Sequence, residues 1–205
     1  MKEEVSVKQD HIVEAAIKRF THFGINKTTL GEIAEDIGIS KASLFYYFQD
    51  KGTLLEAVGQ KIINEVLEGF NSALSSVSSV EDGLLALIEV KRQFFKKYMM
   101  LALQSESVEM NKLSPQFTHF IQQSHLRKER IVSDFLKRGI EAKTLRPLDT
   151  EKTARLLLET LQAFDHCIKG KSPFLQNLDM DALFDKQKDV MQILLNGLKS
   201  NEWKN

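Results

Sequence analysis

No proline occurs before Pro115, and only Pro147 and Pro173 follow it. Proline removes a backbone donor and clashes with the preceding helical turn, so a long stretch without it can run in uninterrupted helices. Apolar residues recur at three- and four-residue spacing through most of the chain, and no convincing run alternates as a strand does. The expected fold is all-α.

Helix boundaries are marked by capping chemistry. Ser6 with Gln9 forms a capping-box pair, followed on one face by Ile12, Ala15, Ala16, Phe20 and Phe23, with Gly24 as the stop. Thr29 with Glu32 forms a second box, opening a short helix that carries Ile33, Ala34 and Ile37 and ends at Gly38. Ser40 caps a third helix two residues later. Two short helices joined by a tight glycine-containing turn form a helix-turn-helix. Gly38 suits a turn position with positive φ, and Ala34 is small enough for the two helices to cross closely.

The third helix, in KASLFYYF, has more aromatics than one buried face can hold. Leu44 and Phe48, four residues apart, face the core. Lys41, Ala42, Ser43, Phe45, Tyr46 and Tyr47 are left around the other side, with Lys41 the single charge between Asp36 and Asp50. Small, hydroxylated and aromatic side chains around one cation suit a DNA groove.

The segment from Ile12 to Leu55 resembles the DNA-binding domain of TetR-type (TetR/AcrR) transcriptional regulators. Ala15-Ala16, Phe20, Gly24, Thr28-Thr29, Ile33-Ala34, Gly38, Ser40, Leu44, Tyr47-Phe48, Lys51 and Leu54 carry the resemblance. It implies that Lys41 and Ala42 approach base edges. It also implies phosphate contacts from Ser43, Tyr46, Tyr47, the Thr29 hydroxyl and backbone, and Lys51 at the start of a fourth helix. Phe45 departs from the family's usual tyrosine, so in place of a phenolic phosphate contact it is placed to press on a thymine methyl or a sugar.

Charge gives no independent support. The 205 residues carry 28 basic and 28 acidic side chains, and residues 1–60 hold seven Lys or Arg against nine Asp or Glu, a net of −2. Non-specific attraction to DNA is therefore expected to be weak, leaving binding to local contacts and amide N–H groups at helix N-termini.

The expected division is a helix-turn-helix domain at 6–52 and a ligand-binding and dimerisation domain at 53–205. Helices are expected from 51 into the Ser-rich NSALSSVSS stretch, then near 81–103, 115–142, 149–169 and 178–199. The resemblance implies an inducer cavity in this second domain, with candidate lining residues Phe70, Phe94, Tyr98, Met99, Phe117, Phe120, His125 and Phe164. Their Phe and Met richness points to a largely apolar inducer of unknown identity, and plain core packing is the competing reading. The last two helices are apolar on two sides, which calls for a partner beyond the chain's own core. By resemblance they form a homodimer interface, with Leu157, Leu161, Ile168, Val190, Leu194 and Leu198 as candidates; fully internal helices are the alternative.

Other classes find little support. The single cysteine, Cys167, fits a reducing compartment, and no apolar run approaches a membrane span. A cytoplasmic location is expected, without a membrane partner. The five histidines show no metal-ligand spacing, and no nucleophile or phosphate-loop motif occurs, so neither a metal, a cofactor nor enzymatic activity is expected. The favoured function is a ligand-responsive DNA-binding regulator, most simply a repressor that holds a pseudo-palindromic double-stranded operator as a dimer and is released by inducer. The alternatives are a helical small-molecule-binding protein that has lost DNA binding, and a small helical enzyme with a polar cluster in its cavity.

Overall fold

A computed structural model describes residues 2–99, 101, 113–168 and 180–199. Eight helices lie among the described residues: α1 (Lys2–Phe23), α2 (Leu30–Asp36), α3 (Lys41–Tyr47), α4 (Lys51–Ser75), α5 (Val80–Lys97), α6 (Pro115–Glu141), α7 (Thr150–Ile168) and α8 (Met180–Leu198). The extended pairing among those residues is one isolated bridge between Leu145 and Lys199. The fold is all-α, as expected.

The chain forms two compact units. One takes in residues 1–65 and 94–122, the other 66–93 and 123–205. In the first, α1, α2, α3 and the start of α4 enclose a core of Ile12, Ala16, Phe20, Ile33, Leu44 and Leu54, each at most 1% exposed. Val58 of α4, Tyr98 and Leu101 belong to the same cluster. The packing boundary therefore differs from the 52/53 division expected from sequence, because Leu54 and Val58 complete the core that Phe20 begins.

Polar ties reinforce this unit. Ser114 caps α6, its Oγ accepting from Phe117 N at 3.1 Å. Glu56 of α4 holds that cap: its carboxylate accepts from Ser114 N at 2.6 Å and from Ser114 Oγ at 2.7 Å. Further along α4, the Glu65 carboxylate accepts from Tyr98 Oη at 2.7 Å and from Lys97 Nζ at 2.9 Å. Burial alone would raise the Glu65 pKa, but these donors overcome it and hold the carboxyl below its usual value. The Tyr98 hydroxyl and the Glu65 carboxylate in turn push the Lys97 ammonium up to about 12.

The second unit has its own core, with Leu74, Leu84, Leu87, Ile88, Leu136, Phe184 and Met191 among its buried residues. Arg92 of α5 bonds to Asp185 of α8 at 3.1 Å, and Lys199 to Glu81 at 2.7 Å. The hydroxyls of Ser133 and Thr150, both buried, satisfy each other at 2.9 Å.

One expected boundary is corrected. Ser6 does not cap α1 but lies within it, since the helix begins at Lys2. Lys2, Glu3 and Glu4 are good helix formers, so nothing in them stops the helix at Ser6. The expected extension of α5 to 103 enters residues outside those described.

Candidate nucleic-acid interface

The helix-turn-helix is built from short-range chemistry. At the start of α2, Thr29 N–H donates to Glu32 Oε2 at 2.8 Å, while Glu32 N–H donates back to Thr29 Oγ1 at 3.3 Å. This is the capping box expected from sequence. Ile37 closes α2, and Gly38 then takes φ +68°, a left-handed conformation that strains any residue with a side chain. Ile39 N–H donates to Ala34 O at 3.0 Å, which completes the turn. Ser40 Oγ accepts from Ser43 N at 3.0 Å and starts α3.

Inner and outer sides of α3 separate as expected. Leu44 and Phe48 are buried, while Lys41 and Ala42 are exposed, as are Phe45 at 39% and Tyr46 at 77%. The Lys41 ammonium lies 5.7 Å from the Phe45 ring centroid, and Tyr46 meets Tyr47 edge-on at 5.1 Å. The presented face is thus one cation and two outward aromatics beside a small alanine. Ser43 and Tyr47 are half-buried, and Tyr47 also packs against the core cluster.

Two residues expected at phosphates are engaged within the chain. Lys51 turns inward: its Nζ donates to the carbonyls of Ile25 and, at 2.6 Å, Thr28. Those carbonyls lie between α1 and α2 and need donors, and the lysine stem spans the gap from the first turn of α4. Burial pushes the ammonium below its usual pKa, and the Glu32 carboxylate opposes that shift. Thr29 is also engaged, since both its N–H and its hydroxyl donate to Glu32 Oε2. Those donors hold the Glu32 carboxyl below its usual value.

Sequence reading missed several supporting residues. Thr28 is buried, its hydroxyl donating to Gly24 O at 2.9 Å. Asp50 caps α4, accepting from Thr53 N at 2.7 Å and from Thr53 Oγ1 at 2.9 Å. Arg19 is drawn onto Asp36 at 3.1 Å and Glu32 at 3.6 Å, which partly neutralises the local acidic excess. The spacing of Asp50 and Thr53 is a readable capping signal; that of Arg19 and Asp36 is not.

The remaining site candidates fall in both units. Phe94, Tyr98, Met99, Phe117 and Phe120 belong to the first, and Phe70, His125 and Phe164 to the second. Phe70, Tyr98 and Phe117 are buried, Phe94, Phe120 and Phe164 half-buried, and Met99 and His125 exposed. Desolvation lowers the His125 pKa, helped by the Lys128 charge.

The dimer candidates divide by burial, with Leu157 and Leu161 on the inner side. Both are buried within the chain itself, at 4% and 3% exposure. The outward apolar residues on these helices are Leu156 at 52%, Ile193 at 70% and Leu194 at 39%. Val190 and Leu198 are half-buried, and the side chain of Ile168 lies outside the described residues.

Residues 12–58 match the family model for bacterial regulatory proteins of the tetR family. Residues 12–58 belong to the TetR family. Over 203 residues the chain is 24% identical to the HTH-type transcriptional regulator RutR of Escherichia coli K12, covering 95% of this chain and 92% of that protein. The HTH-type transcriptional repressor KstR2 of Mycolicibacterium smegmatis is 23% identical over 156 residues, 75% of each chain. A solved transcriptional regulator from Cytophaga hutchinsonii superposes with a TM-score of 0.79 at 28% identity, covering 94% of this chain and 98% of that one. A chain with this segment is a DNA-binding transcriptional regulator. Among its described residues, no helix is long and apolar enough to cross a membrane.

Proposed function

We propose that this protein is a dimeric repressor of the TetR type, released from a pseudo-palindromic operator when a small, largely apolar compound binds within residues 53–205. The observation that carries the reading is the outward face of α3, where Lys41, Ala42, Phe45 and Tyr46 stand exposed on a helix pinned from behind by Leu44 and Phe48. Lys41 takes the role of base reader, offering its ammonium to guanine O6 and N7, and Phe45 presses on a thymine methyl or sugar. Ser43, Tyr46 and Tyr47 position the helix on phosphates.

One such helix in a segment of net charge −2 holds a half-site weakly. Two copies about 34 Å apart span successive major grooves, which multiplies the affinity. The exposed Leu156, Ile193 and Leu194 supply the apolar surface for pairing. Residues 6–52 read DNA in this scheme, and 53–205 bind ligand and dimerise, in the cytoplasm and without chemistry on the ligand. The repressor role is favoured by the name of the mycobacterial relative. Ligand acts only through its different affinity for the operator-fitting and non-fitting conformers.

The deciding experiment is a gel shift of the protein with the DNA upstream of its own gene, repeated with a panel of apolar compounds. A specific shift lost on adding one compound is the expected result. No shift on any upstream fragment would instead favour a small-molecule-binding protein that has lost DNA binding.

A further inference from the structure

Gln187 is a polar side chain buried among apolar neighbours on its own helix. It lies on α8 in the second unit at 1% exposure, one turn from Phe184 on one side and Met191 on the other, each also 1% exposed. Among the described residues, neither its Oε1 nor its Nε2 has a hydrogen-bond partner. A buried amide with both donor and acceptor unmet destabilises the fold, and native proteins rarely retain one without a use. Ser133 and Thr150, buried in the same unit, answer each other at 2.9 Å.

A single buried water is a poor answer to Gln187. Such waters are held by about three hydrogen bonds. The neighbouring turns of α8 offer Leu183, Phe184 and Met191, which contribute none from their side chains. A polar atom attached to an apolar body meets both demands: it pairs with the amide and packs against the surrounding hydrocarbon. One well-placed polar group among apolar side chains is also how small-ligand sites fix orientation.

Charge narrows the class of ligand. The cations of the adjoining α5 stretch are already engaged: Lys91 Nζ donates to Leu161 O at 2.7 Å, and Arg92 is paired with Asp181 at 3.2 Å and Asp185 at 3.1 Å. An anionic ligand head would find no spare positive charge in those groups. Gln187 itself is neutral and carries an acceptor beside a donor, the complement of another carboxamide edge.

We propose that Gln187 is the polar anchor of a ligand site within the second unit, selecting a neutral compound that carries an amide or lactam edge on an apolar body. This rests on reading the chain as a ligand-responsive regulator, and it names the chemistry that such a ligand presents.

Calorimetry and thermal melts on the full, DNA-free chain test it, with benzamide and ε-caprolactam as probes and cycloheptanone, which accepts but cannot donate, as the control. The native chain should bind at least one amide probe about tenfold or more tightly than the ketone. Gln187→Leu should lose about tenfold or more in that affinity while melting at or above the native temperature, because the unmet pair is gone. Three results would each overturn the anchor: neither amide binding the native chain better than the ketone, amide affinity unchanged in Gln187→Leu, or that variant melting more than about 4 °C lower. Operator release is read separately by gel shift. An amide that binds through Gln187 yet leaves operator affinity unchanged removes the proposed release step and leaves the anchor standing.

Discussion

Lys51 donates from Nζ to the carbonyl of Thr28 at 2.6 Å, so the first residue of α4 closes the loop between α1 and α2. With the carbonyl of Ile25 as its second acceptor, this ammonium is committed to the chain's own backbone. The lysine that resemblance assigns to DNA here holds the reading head together.

Replacing Lys51 with methionine should therefore act on folding. Two carbonyls lose a charged donor, which costs about 1–3 kcal/mol. Urea melts read that loss directly. The slope of log affinity against log salt should stay as in the native protein, whereas a phosphate-bound lysine would lower it by about one unit. A one-unit change in gel shifts across a salt series would return Lys51 to the DNA.

Lys41 and Tyr46 should behave in the opposite way. Both are exposed, so alanine at either position should leave stability within about 0.5 kcal/mol of native. In operator binding, Lys41→Ala should lose about 1–3 kcal/mol and relax preference at one base pair per half-site. Affinity measured on a base-substitution panel checks this. Intact base preference in the variant would remove Lys41 from direct readout.

The apolar residues of α7 and α8 separate core from surface. Leu156→Glu combined with Ile193→Glu should yield a folded monomer by sedimentation and circular dichroism, with operator binding lost. Leu161→Ala should instead cost about 2–5 kcal/mol of stability, because Leu161 is buried within the chain. A native chain that sediments as a monomer and still binds operator tightly would refute the pairing scheme.

Acid should loosen the start of α2. Thr29 donors hold the Glu32 carboxyl below its usual value of 4.5, so the ionised form is favoured in the folded state. Its contribution is then fully present above the unfolded value and lost as pH falls through the lowered folded one. Native protein should be more stable than Glu32→Gln at neutral pH, and the gap should close under acid. Denaturant melts from neutral pH down to about pH 3 follow the gap; one that persists unchanged would show that charge plays no part in the cap.

What could be read from sequence was local. Thr29 with Glu32, and Ser40 with Ser43, bond within a single helical turn, so spacing alone located them. Ser6 with Gln9 has the same spacing, yet helix-forming residues ahead of it carry α1 straight through. The inward bonds of Lys51 were not legible because its acceptors are backbone carbonyls 26 and 23 positions earlier, which no side-chain pattern announces. On α7, periodicity revealed two apolar faces without indicating which one the chain covers. Burial assigns Leu157 and Leu161 to the inside and Leu156 to the outside.

The core shared by Phe20, Leu54, Val58, Tyr98 and Leu101 limits how the reading head can be exchanged between regulators. A chimera joined after residue 52 would carry a foreign head onto a native α4, and every side chain of that core beyond the junction would have to match it by chance. The transferable cassette is discontinuous: residues 2–65 together with the segment that contributes Tyr98 and Leu101. Grafts of new operator specificity should therefore succeed more often when confined to the outward residues of α3, where Lys41, Ala42, Phe45 and Tyr46 can change without disturbing the core beneath.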